Sequence, residues 1–431
     1  MTALATIAIV VYQHASDAAF YWQFRDEGSR SPEFDLDELA HGDGLLEANL
    51  EGLRVNGEAG WRQALAELAR WRMPGEAFVC AVLAFDRAAT DRAGTRWDEL
   101  LASIEDATET FAGLIDACRW LPWSCVAASA SAWLDSPDPR LRRLAVAAHS
   151  FHRHSLGDAF DALSHDPDPH LRAQVLLHAG QTGDRDASWR LHAALDDTDA
   201  ACRTAAACAL ALLGDDHGLP RLLEALRHGQ ATPLALTVLG LRLSAPEIDS
   251  LIGEDDLRPE LRIALIRAAG AARWIPRLID WVRDPAIAAA AASAFMHLTG
   301  AEREALAAEP VQANPSPDDP SPAQAGDLAA ADAAVDSDDE ETDDEGDGWH
   351  PDPEAFAAWW NTHRGRLSEP RLLAGRASTP EAWQALLRDG QQPARQYAAW
   401  ALALHRPGSG VFDVAAPAPR QWAALNAPTP G

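Results

Sequence analysis

The chain has 431 residues, 47% of them hydrophobic, which is enough apolar material for a sizeable core. Its 65 acidic residues outnumber 36 basic ones, for a net charge of −29, and every basic residue is an arginine. An acidic chain has no general attraction to nucleic-acid phosphates or to an anionic membrane. A chain without lysine cannot build a GxxxxGK[ST] phosphate loop, a pyridoxal-phosphate Schiff base, a kinase-type strand lysine or an S-x-x-K nucleophile.

The first 60 residues read as an N-terminal cap. Its one apolar run, "ALATIAIVVY" at residues 3–12, is too short to span a bilayer and has no basic flank, so it is expected to be the buried beginning of the fold. Residues 61–134 carry helical spacing in "WRQALAELARW", "AFVCAVLAF" and "WDELLASIEDATETFAGLIDACRWL", without a strict period, and are expected to form divergent helix pairs.

Residues 135–303 repeat. Aligning the segments that begin at Asp135 and Asp166 puts Arg142 over Arg172, and the next unit brings Arg203 into register. Three clear copies are followed by weaker ones and by a last half-unit, "DPAIAAAAASAFMHLTG". Within the second copy Leu171, Val175 and His178 or Ala179 recur at helical steps. Gly180 to Gly183 then breaks the run, and Trp189, Leu191 and Leu195 form a second apolar stretch. Two antiparallel helices per unit of about thirty residues predict an all-α solenoid.

Residues 304–348 hold fifteen acids and no arginine; without them the chain carries 50 acids against 36 arginines. Few large apolar side chains occur here, so residues 308–347 are expected to be a disordered acidic linker. The end of the chain, 349–431, reads as a small helical domain docked back on the solenoid. Asp352 is the expected N-cap and Pro353 the first helical residue of "WHPDPEAFAAWW", with a second helix after Thr379-Pro380 and a third in "PARQYAAWALALHR".

The D-x-x-[VL]-R start of each unit and its small mid-helix residues, over about 135–300, resemble HEAT repeats, specifically the short bacterial repeats also seen in phycobilin-lyase-like proteins. The whole chain further resembles a proteobacterial HEAT-repeat family. That likeness rests on "QHASDAAFYWQFRD", "LLEANLEGLRVNGEAGW", "MHLTG", "WHPDPEAFAAWW", "LLAGRASTPEAWQALLRDGQQPARQYAAWALAL" and "PGSGVFDVAAPAPRQ". Members of that family are often encoded beside type VI secretion spike and adaptor proteins. The resemblance implies a cytoplasmic, non-enzymatic scaffold or adaptor without cofactor, whose partner is a secretion effector or a spike or adaptor protein. It carries over no catalytic residues. The alternatives are a lyase-like enzyme on the same fold and a DNA-binding HEAT-type glycosylase, which the acidic body disfavours.

Chemistry-bearing clusters are few. His149, His152 and His154 with His165, Asp166, Asp168 and His170 form a set of metal-ligand types, but lack any H-E-x-x-H spacing and read as surface or interface histidines. Asp196-Asp197, Asp215-Asp216 and Asp255-Asp256 fall at interhelical turns, where Asp caps helices. The five cysteines, Cys80, Cys118, Cys125, Cys202 and Cys208, include no C-x-x-C pair, which fits a reducing cytoplasm without a disulfide framework or structural zinc. Neither G-x-S-x-G nor G-x-G-x-x-G occurs. Two expectations are left. The first is an inter-repeat ladder linking Asp138 to Arg172 and Asp168 to Arg203, or the reverse pairing of Arg142 with Asp168 and Arg172 with Asp199. The second is a partner-binding role for the adjacent indoles Trp359 and Trp360, which point about 100° apart on a helix.

Overall fold

A computed structural model describes residues 7–85, 93–104, 108–307 and 350–427. The expected disorder at 308–347 lies outside the described residues, as do Trp349 and the start of the apolar run at 3–6.

The described residues of the N-terminal third form seven helices: α1 (Ala8–Gly28), α2 (Leu36–Val55), α3 (Glu58–Trp71), α4 (Pro74–Phe85), α5 (Ala93–Ser103), α6 (Thr108–Trp120) and α7 (Trp123–Trp133). α4 is buried continuously from Ala77 to Phe85, because helices pack on it from several sides. The repeat region follows as α8 (Pro139–Phe151) and α9 (Ala159–Leu163), α10 (Pro169–Thr182) and α11 (Ser188–Ala194), and α12 (Ala200–Leu212) and α13 (Leu219–Arg227). It continues with α14 (Pro233–Arg242) and α15 (Ala245–Ile252), α16 (Pro259–Ala269) and α17 (Ile275–Trp281), and α18 (Ala288–Thr299). In this region the first helix of each unit is the longer one.

The first helices stack in one row that extends into the N-terminal third: α1, α4, α6, α8, α10, α12, α14, α16 and α18 each pack on the next. Small residues set the spacing. A Cβ on Gly180 would lie 2.5 Å from the Ala209 Cα of the next unit, and one on Gly240 would lie 2.5 Å from the backbone of Ala268. The second helices form an outer layer; in α11, Leu191 points into the core while Trp189 points out, 63% exposed. Trp189 therefore does not belong to the buried stretch its spacing suggested.

Two other expectations are corrected. Ile7, Ile9 and Val10 are exposed, so the apolar run becomes buried only at Val11. The helical structure also continues past 303, through a 3-10 turn at Arg303–Leu306 whose Leu306 is fully buried.

The C-terminal part comprises α19 (Pro353–His363), a short hairpin of β1 (Leu372–Leu373) and β2 (Arg376–Ala377), α20 (Pro380–Asp389), α21 (Gln392–His405) and α22 (Ala418–Asn426). It is more than a domain resting on the solenoid. Phe356, Leu367, Leu372, Ala403 and Leu404 belong to the same apolar cluster as the last repeats, and no residue from 392 to 404 is exposed. α21 fills the middle of the molecule, and the row of helices curls until its ends meet around it. Arg303, after α18, lies 3.2 Å from Glu33 in the α1–α2 connection. The Gln392 N–H at the start of α21 donates to Phe34 O in that same connection at 2.8 Å.

Candidate partner-binding surfaces

Each clear repeat opens on an acidic turn, followed by proline in the first two units and by Ala200 in the third, whose carboxylates do different work. The second acid of each turn, Asp138, Asp168 and Asp199, is the N-cap. It accepts the N–H of Arg140, His170 and Ala201 respectively, at 2.8–2.9 Å. Lone pairs committed to the first turn of their own helix do not reach the neighbouring unit. The inter-repeat ladder therefore runs through the acid two residues earlier: Arg142 pairs with Asp166 at 2.8 Å and Arg172 with Asp197 at 2.9 Å. Neither expected pairing, Asp138–Arg172 with Asp168–Arg203 nor its reverse, is the one formed.

The Arg142 and Arg172 side chains also donate back to their own turns, Arg142 to Ser136 O and Arg172 to Asp166 O, so each clamps two turns at once. Burial works to raise the Asp197 carboxyl, but the Arg172 hydrogen bond and charge hold it below the usual carboxylate range. Arg203 donates to Asp197 O and Thr198 O of its own turn. The ladder stops there because the next unit opens as Gly229-Gln230-Ala231-Thr232-Pro233, with no acid.

Trp359 and Trp360 are both half-buried against the last repeats; Trp359 meets Phe295 edge-on at 5.6 Å and stacks on His363. Both help to join the C-terminal part to the solenoid. The histidines separate into unrelated settings. Trp123 gathers His149, His152 and His154 around its ring, while His165 donates to Asp161 O. Among the described residues no three acid, histidine or cysteine side chains are placed to hold a metal.

Burial pushes the thiols of Cys80 and Cys118 far above their usual range, that of Cys208 to about 12 and that of Cys202 to about 11. A thiol that stays protonated is a poor nucleophile, so these four do not supply the reactive group a lyase-like reading needs. The Glu76 carboxyl is raised by burial and by Glu67 nearby. Neither acid lines the open cleft described below.

A feature that sequence reasoning missed is the row of turns between the first and second helix of each unit. Gly183, Gly214, Gly270 and Gly300 take positive φ there, and the C-terminal chain lies against all four. Val411 N–H donates to Gln181 O and Gly408 N–H to Leu212 O. Leu372 N–H donates to Gly270 O, and Ala374 N–H to His297 O. A Cβ on Gly183 would stand 2.2 Å from Gly408 O, and one on Gly300 would stand 2.8 Å from the Ala374 carbonyl carbon. These turns are occupied by the chain itself. Their only sequence signal is glycine at the end of successive first helices.

At the N-terminal end the contact is anchored by a buried pair. Arg25 donates to Asp43 at 2.5 Å and to Ala415 O at 2.8 Å, and the other Asp43 oxygen accepts Ala418 N–H at 2.6 Å. Arg420 holds the carbonyls of Arg119, Trp120 and Leu121 at the end of α6. Where the C-terminal chain passes the α14–α15 and α16–α17 turns, a cleft of about 380 Å³ stays open. Ile248, Ala269 and Ala271 give it an apolar floor, exposed Ala245 and Pro370 stand at its mouth, and Arg273, Arg371 and Glu369 border it. Both arginines are fixed: Arg371 donates to Gly240 O and Leu243 O, and Arg273 pairs with Asp249.

The fold and its turn ladder define an all-α, HEAT-like solenoid. Residues 158–241, from α9 to α14, match the family described as HEAT repeats. A comparison with curated proteins finds none that matches this chain. Over those residues the chain is thus similar to HEAT repeats, helical units of a kind that usually mediates protein interactions. No helix among the described residues is long and apolar enough to cross a membrane.

Proposed function

We propose that this protein is a cytoplasmic adaptor that binds another protein and presents an effector or spike component to type VI secretion machinery. Protein binding is supported by the HEAT repeats at 158–241, and the secretion role by the family resemblance of the sequence. The observation that carries the binding reading is the open cleft between α15 and Pro370. Its volume is in the range of sites that accept a ligand or an anchoring side chain, its floor is apolar, and its charged rim is held in place beforehand. It receives a large apolar side chain of the partner, with Glu369 and the two arginines fixing the register of the polar rim.

The test uses Ala245→Trp, an exposed position at the mouth that an indole would fill. In pull-downs from native lysate, the unaltered protein retains a stoichiometric partner drawn from the secretion spike or effector proteins, and the variant loses it at unchanged thermal stability. Equal retention by both would remove the cleft from the interface. Absence of any secretion component from the retained proteins would remove the secretion role.

A further inference from the structure

We infer that the open cleft takes the carboxy-terminal residue of the partner protein, with the terminal carboxylate at Arg371 and the last apolar side chain on the floor of Ile248, Ala269 and Ala271. This occupancy rests on the cleft being the partner-binding site proposed above.

The cleft has two walls. One is the connection from α14 to the start of α15, residues 240–249; the other is the C-terminal chain at 369–371, joined to the end of α16 by an antiparallel bridge between Ala271 and Arg371. Leu372 N–H donates to Gly270 O at 2.9 Å and Ala272 N–H to Pro370 O at 3.2 Å, so the second wall is fixed to the solenoid by main chain. Two guanidinium groups cross from this side to the first wall. Arg371 reaches Gly240 O at 2.7 Å and Leu243 O at 3.1 Å. Arg273, in the 3-10 turn before α17, reaches Ala245 O at 2.7 Å and pairs with Asp249. A chain end enters between such crossings, whereas a chain running through the cleft would have to displace one of them.

The two arginines differ in the charge they leave over. Arg273 has its counter-ion in Asp249. Arg371 is held by two carbonyl oxygens at the end of α14, and among the described residues no carboxylate pairs with it. Carbonyls position a guanidinium without neutralising it and leave part of its N–H fork unused. A half-buried cation, already fixed beside an apolar floor, therefore calls for an acid that carries an apolar group. Glu369 also borders the cleft and opposes that acid, but it is exposed, where solvent screens it. The last residue of a protein carries a carboxylate and a side chain on one Cα, and its main chain need not leave the cleft again. An internal acid has its apolar neighbour on the next residue, pointing the opposite way in an extended chain.

The test offers the immobilised full-length protein two pools of random hexapeptides that differ only in ending in a free carboxylate or a carboxamide. The acid pool is retained and enriched in peptides whose last residue is large and apolar; the amide pool is not. For one selected peptide, followed by fluorescence anisotropy, the acid binds at least about tenfold tighter than its amide. Ala245→Trp abolishes that binding. Arg371→Met removes the preference for acid over amide; because Arg371 also ties the C-terminal chain to α14, its melting temperature is measured alongside. Glu369→Gln, at an exposed position, keeps the fold and tightens the acid about threefold while leaving the amide unchanged. Equal retention of the two pools overturns the terminal carboxylate but leaves the cleft as a protein-binding surface. Retention of neither pool overturns it as well, and the lysate pull-down with Ala245→Trp then decides by itself whether the cleft belongs to an interface. Acid binding that Glu369→Gln fails to strengthen overturns the placement of the carboxylate beside Arg371.

Discussion

At the scale of single residues, the most consequential interaction is the buried pair of Arg25 and Asp43. Both side chains are almost wholly shielded, and each also holds the backbone of the C-terminal chain, at Ala415 and Ala418. Removing one partner of such a pair leaves an uncompensated charge in a medium that solvates it poorly, a loss of about 3–5 kcal/mol. Asp43→Ala therefore lowers the urea midpoint by an amount equivalent to that loss, and it frees the Ala418 N–H for hydrogen exchange. The double variant Arg25→Met with Asp43→Leu loses less than the single one, because it strands no charge. A double variant as unstable as Asp43→Ala would show that hydrogen bonding to 415–418, and not charge desolvation, sets the cost.

At the scale of elements, two connections define how the chain is assembled. The acidic turns position the first helices through a forward ladder, Arg142 to Asp166 and Arg172 to Asp197, while the second acid of each turn is spent on capping. The other connection concerns the acidic segment. Ala307 and Pro351 form an antiparallel bridge, and Asp352 N–H donates to Leu306 O. The two ends of residues 308–349 are thus held side by side, so no length of chain is needed to carry the C-terminal part to its place. Replacing 308–349 by a six-residue Gly-Ser turn should leave the fold intact. The shorter loop reduces closure entropy by about 1–2 kcal/mol, so the melting temperature is expected to stay the same or rise. A variant that melts earlier, or loses its helical circular dichroism, would show that the segment contributes to the fold.

At the scale of the whole molecule, acid should loosen the stack. Burial holds His152 and His178 down at about pKa 4, and keeps His149 below and His297 well below the usual histidine range. In the unfolded chain the same groups take up protons near pH 6.5. Between pH 6.5 and 4 the unfolded state therefore binds more protons, and folding stability falls as pH falls through that window. His178, only 1% exposed, accounts for about 3 kcal/mol of the loss. Below it, protonation of Asp197 and Asp138, whose native carboxyls are held low, adds to the loss. Melting temperatures between pH 7.5 and 4 should decline monotonically, and His178→Leu should flatten part of that decline. A stability independent of pH across the window would mean these histidines are solvated in the native state.

The sequence by itself determined the local rules. The recurrence of Arg142, Arg172 and Arg203 set the unit length, Asp-Pro marked the starts of α8 and α10, and small residues fixed how closely Gly180 meets Ala209. These depend on neighbours a few residues or one unit away, so they leave a periodic trace in the chain. Which acid joins the ladder was not legible, since both acids of a turn fit the same spacing and only the direction of the side chain separates them. Nor was the closure of the ring around α21, the covered row of glycine turns, or the 380 Å³ cleft. Each of these depends on the curvature accumulated over many units. A small rotation per unit has no signature in any one repeat, and its sum decides which apolar residues meet a partner within the chain and which stay exposed.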